Sequence, residues 1–128
     1  MALVGIGVDV AQIDRFERME RLYGERFLRR ILHPIERNLL ERRKNRAEFL
    51  AGRFASKEAA KKALGEFPGW GIAWNEIYVV ERKNGRPDLF FEGRAAALAA
   101  QLGVCAGQVS ISHDGAVAVA QVVLESAC

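Results

Sequence analysis

The sequence predicts an α+β fold, a single domain with a mostly antiparallel sheet packed on a long helix, and three observations predict it. Residues 3 to 10 alternate with the period of a strand. Residues 46 to 64 carry a helical pattern between Asn45 and Gly65, residues suited to its two ends. Two hairpin signals, Asn84-Gly85 and Asp114-Gly115, divide strand-like segments in the second half. The order strand, helices, hairpin, helix, hairpin contains no repeat, low-complexity tract or linker, so residues 1 to 128 read as one domain.

In the opening strand Val4, Ile6, Val8 and Val10 share one face, while Leu3, Gly5, Gly7 and Asp9 share the other. The two glycines clear that second face for another backbone or a ligand, and it ends in a carboxylate. Asp9 reads either as a site residue or as a cap on the following turn. From Asp14 the pattern becomes helical, with Asp14 and Glu17 at capping-box spacing and Phe16, Met19, Tyr23 and Phe27 on one side. His33 marks a boundary, and Pro34 suits the first position of a helix running through Leu39 and Leu40 to Lys44. Asn45 with Glu48 offers a capping box for the long helix. Residues 67 to 71, FPGWG, form a turn-rich loop, followed by a strand from Trp74 to Val80 and a return strand from Pro87 through Phe91. A short helix from Arg94 to Leu102 ends at Gly103, and strands over 109 to 113 and 116 to 124 close the chain.

Composition limits the function classes. Half the residues are apolar and 27% are charged, the profile of an ordinary globular protein. The N-terminus lacks a basic region followed by a long apolar run, and no stretch is long enough to span a bilayer, so a cytoplasmic protein is expected. Cys105 and Cys128 have neither metal-ligand spacing nor the density of a disulfide scaffold, and both are expected to be reduced. The net charge of +3 is uneven. Residues 1 to 53 hold 12 basic and 8 acidic side chains, and residues 54 to 128 hold 7 basic and 8 acidic ones. A basic first half attracts an acidic protein, a phosphorylated ligand or nucleic acid. A basic protein-binding or nucleic-acid-binding module is therefore the alternative to an enzyme, although exposed aromatic platforms and recognition motifs are missing beside the charge.

The chemistry concentrates on the long helix. At about 100° per residue, Leu50, Phe54, Ala51 and Ala55 form an apolar arc, and Glu58 falls within it. A desolvated carboxylate needs a cation, strong donors or an opening to line. Lys62, one turn on, is one candidate and a metal ion is another; a solvated Glu58–Lys62 pair reads equally well. Motifs for a nucleophile elbow, a P-loop, a dinucleotide fold or zinc are absent. Asp9, Glu58 and Lys62 suggest a Mg²⁺ site serving a phosphorylated substrate, because Mg²⁺ takes a few carboxylate oxygens, keeps waters and accepts phosphate oxygens. A lysine there suits charge stabilisation on a phosphate. Ser112 and His113 make a poor nucleophilic pair, since neighbours on a strand face opposite ways.

Three blocks carry a family resemblance: GIGVDV at residues 5 to 10, with Ile13 and Arg15 after it; GRFASKEAAKKAL at 52 to 64; and SISHDGAVAVA at 110 to 120. Trp74, Glu76 and Ile77, then Gly85, Arg86 and Pro87, add weaker support. With these, the chain resembles the holo-acyl-carrier-protein synthase family, the small trimeric class of 4′-phosphopantetheinyl transferases. The resemblance implies transfer of phosphopantetheine from coenzyme A to a serine of apo acyl carrier protein, releasing adenosine 3′,5′-bisphosphate, in fatty acid biosynthesis. It implies Mg²⁺ on Asp9 and Glu58, with Lys62 on the coenzyme A pyrophosphate. Glu58 or a Mg²⁺-bound water would take the serine proton. The resemblance also implies Arg53, Ser112 and His113 near the nucleotide, and Arg15, Arg18 and Arg21 facing the acidic carrier. A homotrimer with a site at each subunit interface is implied as well, without nucleic acid or membrane partners. Val8, Ala11, Arg86 and the pair His33-Pro34 depart from the family's usual residues, and none of them is a proposed ligand.

Overall fold

The computed structural model describes residues 2 to 65 and 71 to 126. Its elements run β1 (Leu3–Gln12), α1 (Ile13–Tyr23), α2 (Glu25–Ile31), α3 (Pro34–Leu40), α4 (Arg46–Leu64), β2 (Ile77–Glu81), β3 (Pro87–Phe91), α5 (Gly93–Gln101), β4 (Ala106–Asp114) and β5 (Val117–Glu125). The α+β reading holds, with two antiparallel sheets in place of one: β1, β5 and β4 in that spatial order, and the β2–β3 hairpin apart from them. The loop expected over residues 67 to 71 lies, except for Gly71, outside the described residues.

Helix α4 is the centre of the molecule. Asn45 Oδ1 accepts from the Glu48 backbone N–H at 3.0 Å, and Gly65 closes the other end in the left-handed region at φ 72°, as the sequence led one to expect. An amphipathic helix with one apolar arc was expected, but α4 is buried around most of its circumference: Leu50, Ala51, Ala55, Ala59 and Ala60 are wholly enclosed, and so are Ser56 and Lys57. The three-stranded sheet, α1, α3 and the hairpin surround it, which leaves little solvent-facing surface.

The first sheet meets α4 through the glycine face of β1. A Cβ on Gly5 would stand 1.8 Å from the Ala63 carbonyl oxygen, and one on Gly7 would stand 1.9 Å from that of Ala59. Only glycine permits this approach of helix backbone to strand, so the cleared face receives a backbone rather than a ligand. The apolar face of β1 points away from the core: Ile6, Val8 and Val10 are 56%, 53% and 59% exposed. Pairing extends that outer face across β5 and β4, because Val10 opposes Val119, which opposes Ser112. Asp9, Ala120 and Ile111 form the neighbouring row on the opposite face, toward α4.

Four local expectations need correcting. The arginine-rich helix starts at Ile13, leaving Asp14 in its first turn without a side-chain capping bond, and it breaks at Gly24, whose φ of 52° permits the bend into α2. Trp74 to Glu76 form a 3₁₀ turn rather than the start of a strand. Glu76 closes that turn by accepting from the Ala73 N–H at 2.7 Å, and the strand begins only at Ile77. Cys105 is disulfide-bonded rather than reduced; its N–H donates to the Glu125 carbonyl at 2.8 Å, which brings the end of β5 beside it. Cys128 lies outside the described residues. His33 does mark a boundary: its ring Nδ1 accepts from the Ile35 N–H at 3.1 Å, with Pro34 at the first position of α3, which ends at Leu40 rather than Lys44.

Candidate active site

The close approach of β1 to α4 assembles Asp9 and Lys62. The Lys62 ammonium donates to Asp9 Oδ1 at 3.1 Å and to the Val8 carbonyl at 2.9 Å, across the strand–helix contact that the glycines create. The i,i+4 pairing of Lys62 with Glu58, one of the alternatives the sequence leaves open, thus gives way to a pairing between elements. Glu58 is half-buried, and its donor is the indole Nε1–H of Trp74, 3.0 Å from Oε1. The carboxylate in the apolar arc has found a strong donor beside a partly open surface, one of the solutions that desolvation allows.

The donor set at this contact suits a hard divalent cation. Among the described residues no cluster of three or more His, Cys, Asp or Glu side chains is placed to hold a metal. Zinc and calcium usually take more protein ligands than two carboxylates provide, whereas Mg²⁺ uses one or two carboxylates and fills its octahedron with waters and substrate phosphates. Asp9 and Glu58 are the residues that could hold it.

A second feature is a cavity of about 400 Å³ whose walls include Arg43, Phe49, Gly52, Arg53, Glu81 and His113. Arg53 is buried, stacks over the Phe49 ring at 4.4 Å, and donates to Glu81 Oε1 at 2.9 Å. Arg43 pairs with the other oxygen of Glu81. Burial pushes the Glu81 carboxyl upward, but the hydrogen bonds and charges of Arg53 and Arg43 prevail and hold it below its ordinary range. His113 lies across from Glu48, Nδ1 to Oε1 at 3.4 Å. Of the expected pair, His113 lines this cavity, while Ser112 is exposed and belongs to the outer row with Val10 and Val119.

A third feature is an apolar groove of about 370 Å³ between α1, α2 and α4, with Phe16, Phe27, Phe54 and Trp74 in its walls and Arg15 and Arg30 at its margin. The Arg15 guanidinium stands 5.5 Å from the rings of both Phe16 and Phe54. Arg18 and Arg21 are exposed on the same helix, with Arg21 3.6 Å from Glu17. Of the three expected arginines, Arg15 borders this apolar groove, while Arg21 borders a separate, open depression with Glu17, Glu20 and Arg46.

Sequence reasoning did not find the buried pair behind these features. Lys57 and Glu36 are both wholly enclosed, with Nζ 2.5 Å from Oε1. Lys57 also donates to the Ile77 carbonyl, and Glu36 Oε2 accepts from the Val79 N–H at 3.1 Å, so the pair ties α3 and the hairpin to α4. Burial lowers the Lys57 pKa, and the charge of Glu36 opposes that shift. On a helix read as amphipathic, three lysines look like solvated surface, and no local signal separates Lys57 from Lys61 and Lys62. Trp74 was visible as an aromatic, but its indole as a donor to Glu58 was not, because the contact joins residues sixteen apart.

Comparison with known proteins gives a consistent result. A profile of the family described as the 4′-phosphopantetheinyl transferase superfamily matches residues 5 to 120. The chain is 42% identical to a holo-(acyl-carrier-protein) synthase of Solibacter usitatus over 126 residues, covering 97% of this chain and 99% of that one. Among solved structures, the synthase of Neisseria meningitidis superposes with a TM-score of 0.88 at 29% identity, covering 97% of this chain and 99% of that one. The Bacillus anthracis synthase in complex with CoA (3′,5′-ADP) does so with a TM-score of 0.80 at 38% identity, covering 98% of each chain.

Proposed function

The chain belongs to the 4′-phosphopantetheinyl transferase superfamily, and from that membership we propose that it is a holo-acyl-carrier-protein synthase. It transfers 4′-phosphopantetheine from coenzyme A to a serine of apo acyl carrier protein and releases adenosine 3′,5′-bisphosphate. Residues 1 to 128 form one transferase domain. The reaction serves fatty acid biosynthesis in the cytoplasm.

One observation supports this reading above the others: glycine-enforced contact between β1 and α4 sets Lys62 against Asp9, one turn from a Glu58 held by its own donor. Asp9 and Glu58 hold Mg²⁺, which when bound neutralises the pyrophosphate and polarises the phosphorus under attack. Lys62, whose ammonium already sits on a carboxylate and a carbonyl, turns to the pyrophosphate and stabilises the charge that collects on the leaving bisphosphate. The Glu58 carboxylate takes the serine proton, directly or through one ordered water. The serine oxygen forms its bond to the phosphorus bearing the pantetheine as that phosphorus parts from the bridging oxygen of the pyrophosphate. Arg53 and His113, in the walls of the 400 Å³ cavity, take the nucleotide. Arg15, with Arg18 and Arg21 beside it, meets the acidic carrier at the groove on α1.

The outer face of β1 supports a homotrimer. Ile6, Val8 and Val10 form an exposed apolar row on β1, an edge strand of its sheet, and a second copy of the chain is its occupant. Ser112 lies on that same face, so in the assembly it is available to a nucleotide held at the boundary between two copies.

The test is incubation of the chain with coenzyme A, Mg²⁺ and apo acyl carrier protein, followed by intact mass of the carrier. The carrier gains one phosphopantetheine if the proposal is right. An unchanged carrier mass, with folded protein and all three components present, contradicts it.

A further inference from the structure

Trp74 holds Glu58 through a contact to which the transfer scheme above assigns no chemical role. Its indole N–H donates to Glu58 Oε1 at 3.0 Å, occupying one carboxylate oxygen and leaving the other for a further partner. The indole is itself fixed from several sides, independently of Glu58. The Phe54 ring packs on it at 5.6 Å between centroids, with the Lys61 ammonium 4.9 Å and the Arg30 guanidinium 5.6 Å from its centre. The 3₁₀ turn beneath it is closed by the Glu76 N–H on the Ala73 carbonyl at 3.0 Å and by the Ala73 N–H on Glu76 Oε1 at 2.7 Å. The second oxygen of Glu76 accepts from the Arg94 N–H at 2.5 Å, anchoring the turn to the start of α5. A donor held this firmly selects one orientation of a side chain that would otherwise sample several.

We propose that Trp74 is a positioning residue for the divalent cation: its N–H fixes the Glu58 carboxylate in the orientation that binds the metal. This rests on the assignment of Glu58 as a ligand. A ligating carboxylate that already has one oxygen hydrogen-bonded binds with less reorganisation, and loss of such an outer contact weakens metal affinity by about 10- to 100-fold. Phenylalanine at this position would keep the packing on Phe54 and supply no N–H. The donor, rather than the ring, is therefore the functional part.

The experiment is a titration of the full chain with Mn²⁺ in the presence of coenzyme A and without carrier, following the electron paramagnetic resonance signal of free Mn²⁺. Trp74→Phe is expected to bind Mn²⁺ about tenfold more weakly than the wild type. Its thermal midpoint should stay close to the wild-type value. Trp74→Leu, a second variant without the donor, repeats the measurement if Trp74→Phe does not fold, with the same expected loss. Affinity within twofold of wild type, or tighter, overturns the proposal while leaving Glu58 as a ligand. Absence of coenzyme-A-dependent Mn²⁺ uptake by the wild type overturns both.

Discussion

Replacing Gly7 by alanine tests whether the strand–helix contact builds the site. The added methyl carbon would lie 1.9 Å from the Ala59 carbonyl oxygen, an atom of helix backbone that cannot rotate aside. Relaxing the contact to about 3.3 Å, where carbon and oxygen ordinarily meet, moves β1 and α4 apart by about 1.4 Å. Two effects oppose each other in stability. Alanine stiffens the unfolded chain, a gain of up to about 1 kcal/mol, while overpacking costs about 1–3 kcal/mol or more, and a backbone obstacle puts the cost at the upper end. The net loss is therefore about 2 kcal/mol. Because Asp9 rides on the strand while Glu58 and Lys62 ride on the helix, the same displacement opens the site, and a misplacement of about 1 Å costs about a hundredfold in rate. Urea unfolding and initial rates of carrier modification give the two numbers separately. A Gly7→Ala protein within 0.5 kcal/mol of wild type and within about twofold in rate would refute the reasoning.

Three further outcomes follow from the same geometry. Lys57→Met takes the nearer cation from buried Glu36, leaving the Arg53 Nε 3.8 Å away, and should lower stability by about 3 kcal/mol, the lower end for a broken buried pair; Glu36→Gln added to it should recover much of that loss, and urea unfolding of the single and double variants checks this. The depressed pKa of Glu81 makes its contribution fully present above the usual carboxylate range and lost as pH falls through the folded value. Unfolding midpoints between pH 7 and pH 3 should accordingly fall more in the wild type than in Glu81→Gln, and equal slopes would contradict the assignment. Val8→Asp places a charge in the exposed apolar row and should reduce the light-scattering mass from that of three chains toward that of one.

Local chemistry made much of the fold legible. Asn45 and Gly65 delimit α4 because capping and a left-handed terminus are decided within a few residues. The turns at Asn84-Gly85 and Asp114-Gly115 join β2 to β3 and β4 to β5 for the same reason. What distant partners decide was not legible. Alternation in β1 showed two faces, but which of them meets the core depends on α4 arriving against Gly5 and Gly7. Lys57 and Lys62 look alike in sequence, yet one is enclosed with Glu36 from α3 and the other rests at the surface on Asp9 from β1. Glu58 was correctly singled out as a carboxylate that had to be satisfied; its partner came from a 3₁₀ turn mistaken for the start of a strand. The continuous helix drawn through Gly24 failed because Phe27 kept the apolar spacing while the backbone did not.

Transfer requires Asp9 and Glu58 to act together on the proposed mechanism, and the mass of the carrier measures this directly. With coenzyme A and Mg²⁺, the wild-type chain should add one phosphopantetheine to apo acyl carrier protein. Asp9→Asn and Glu58→Gln, folded by circular dichroism, should leave the carrier unmodified over the same interval. Turnover near the wild-type rate in either variant would contradict the assignment of these two carboxylates.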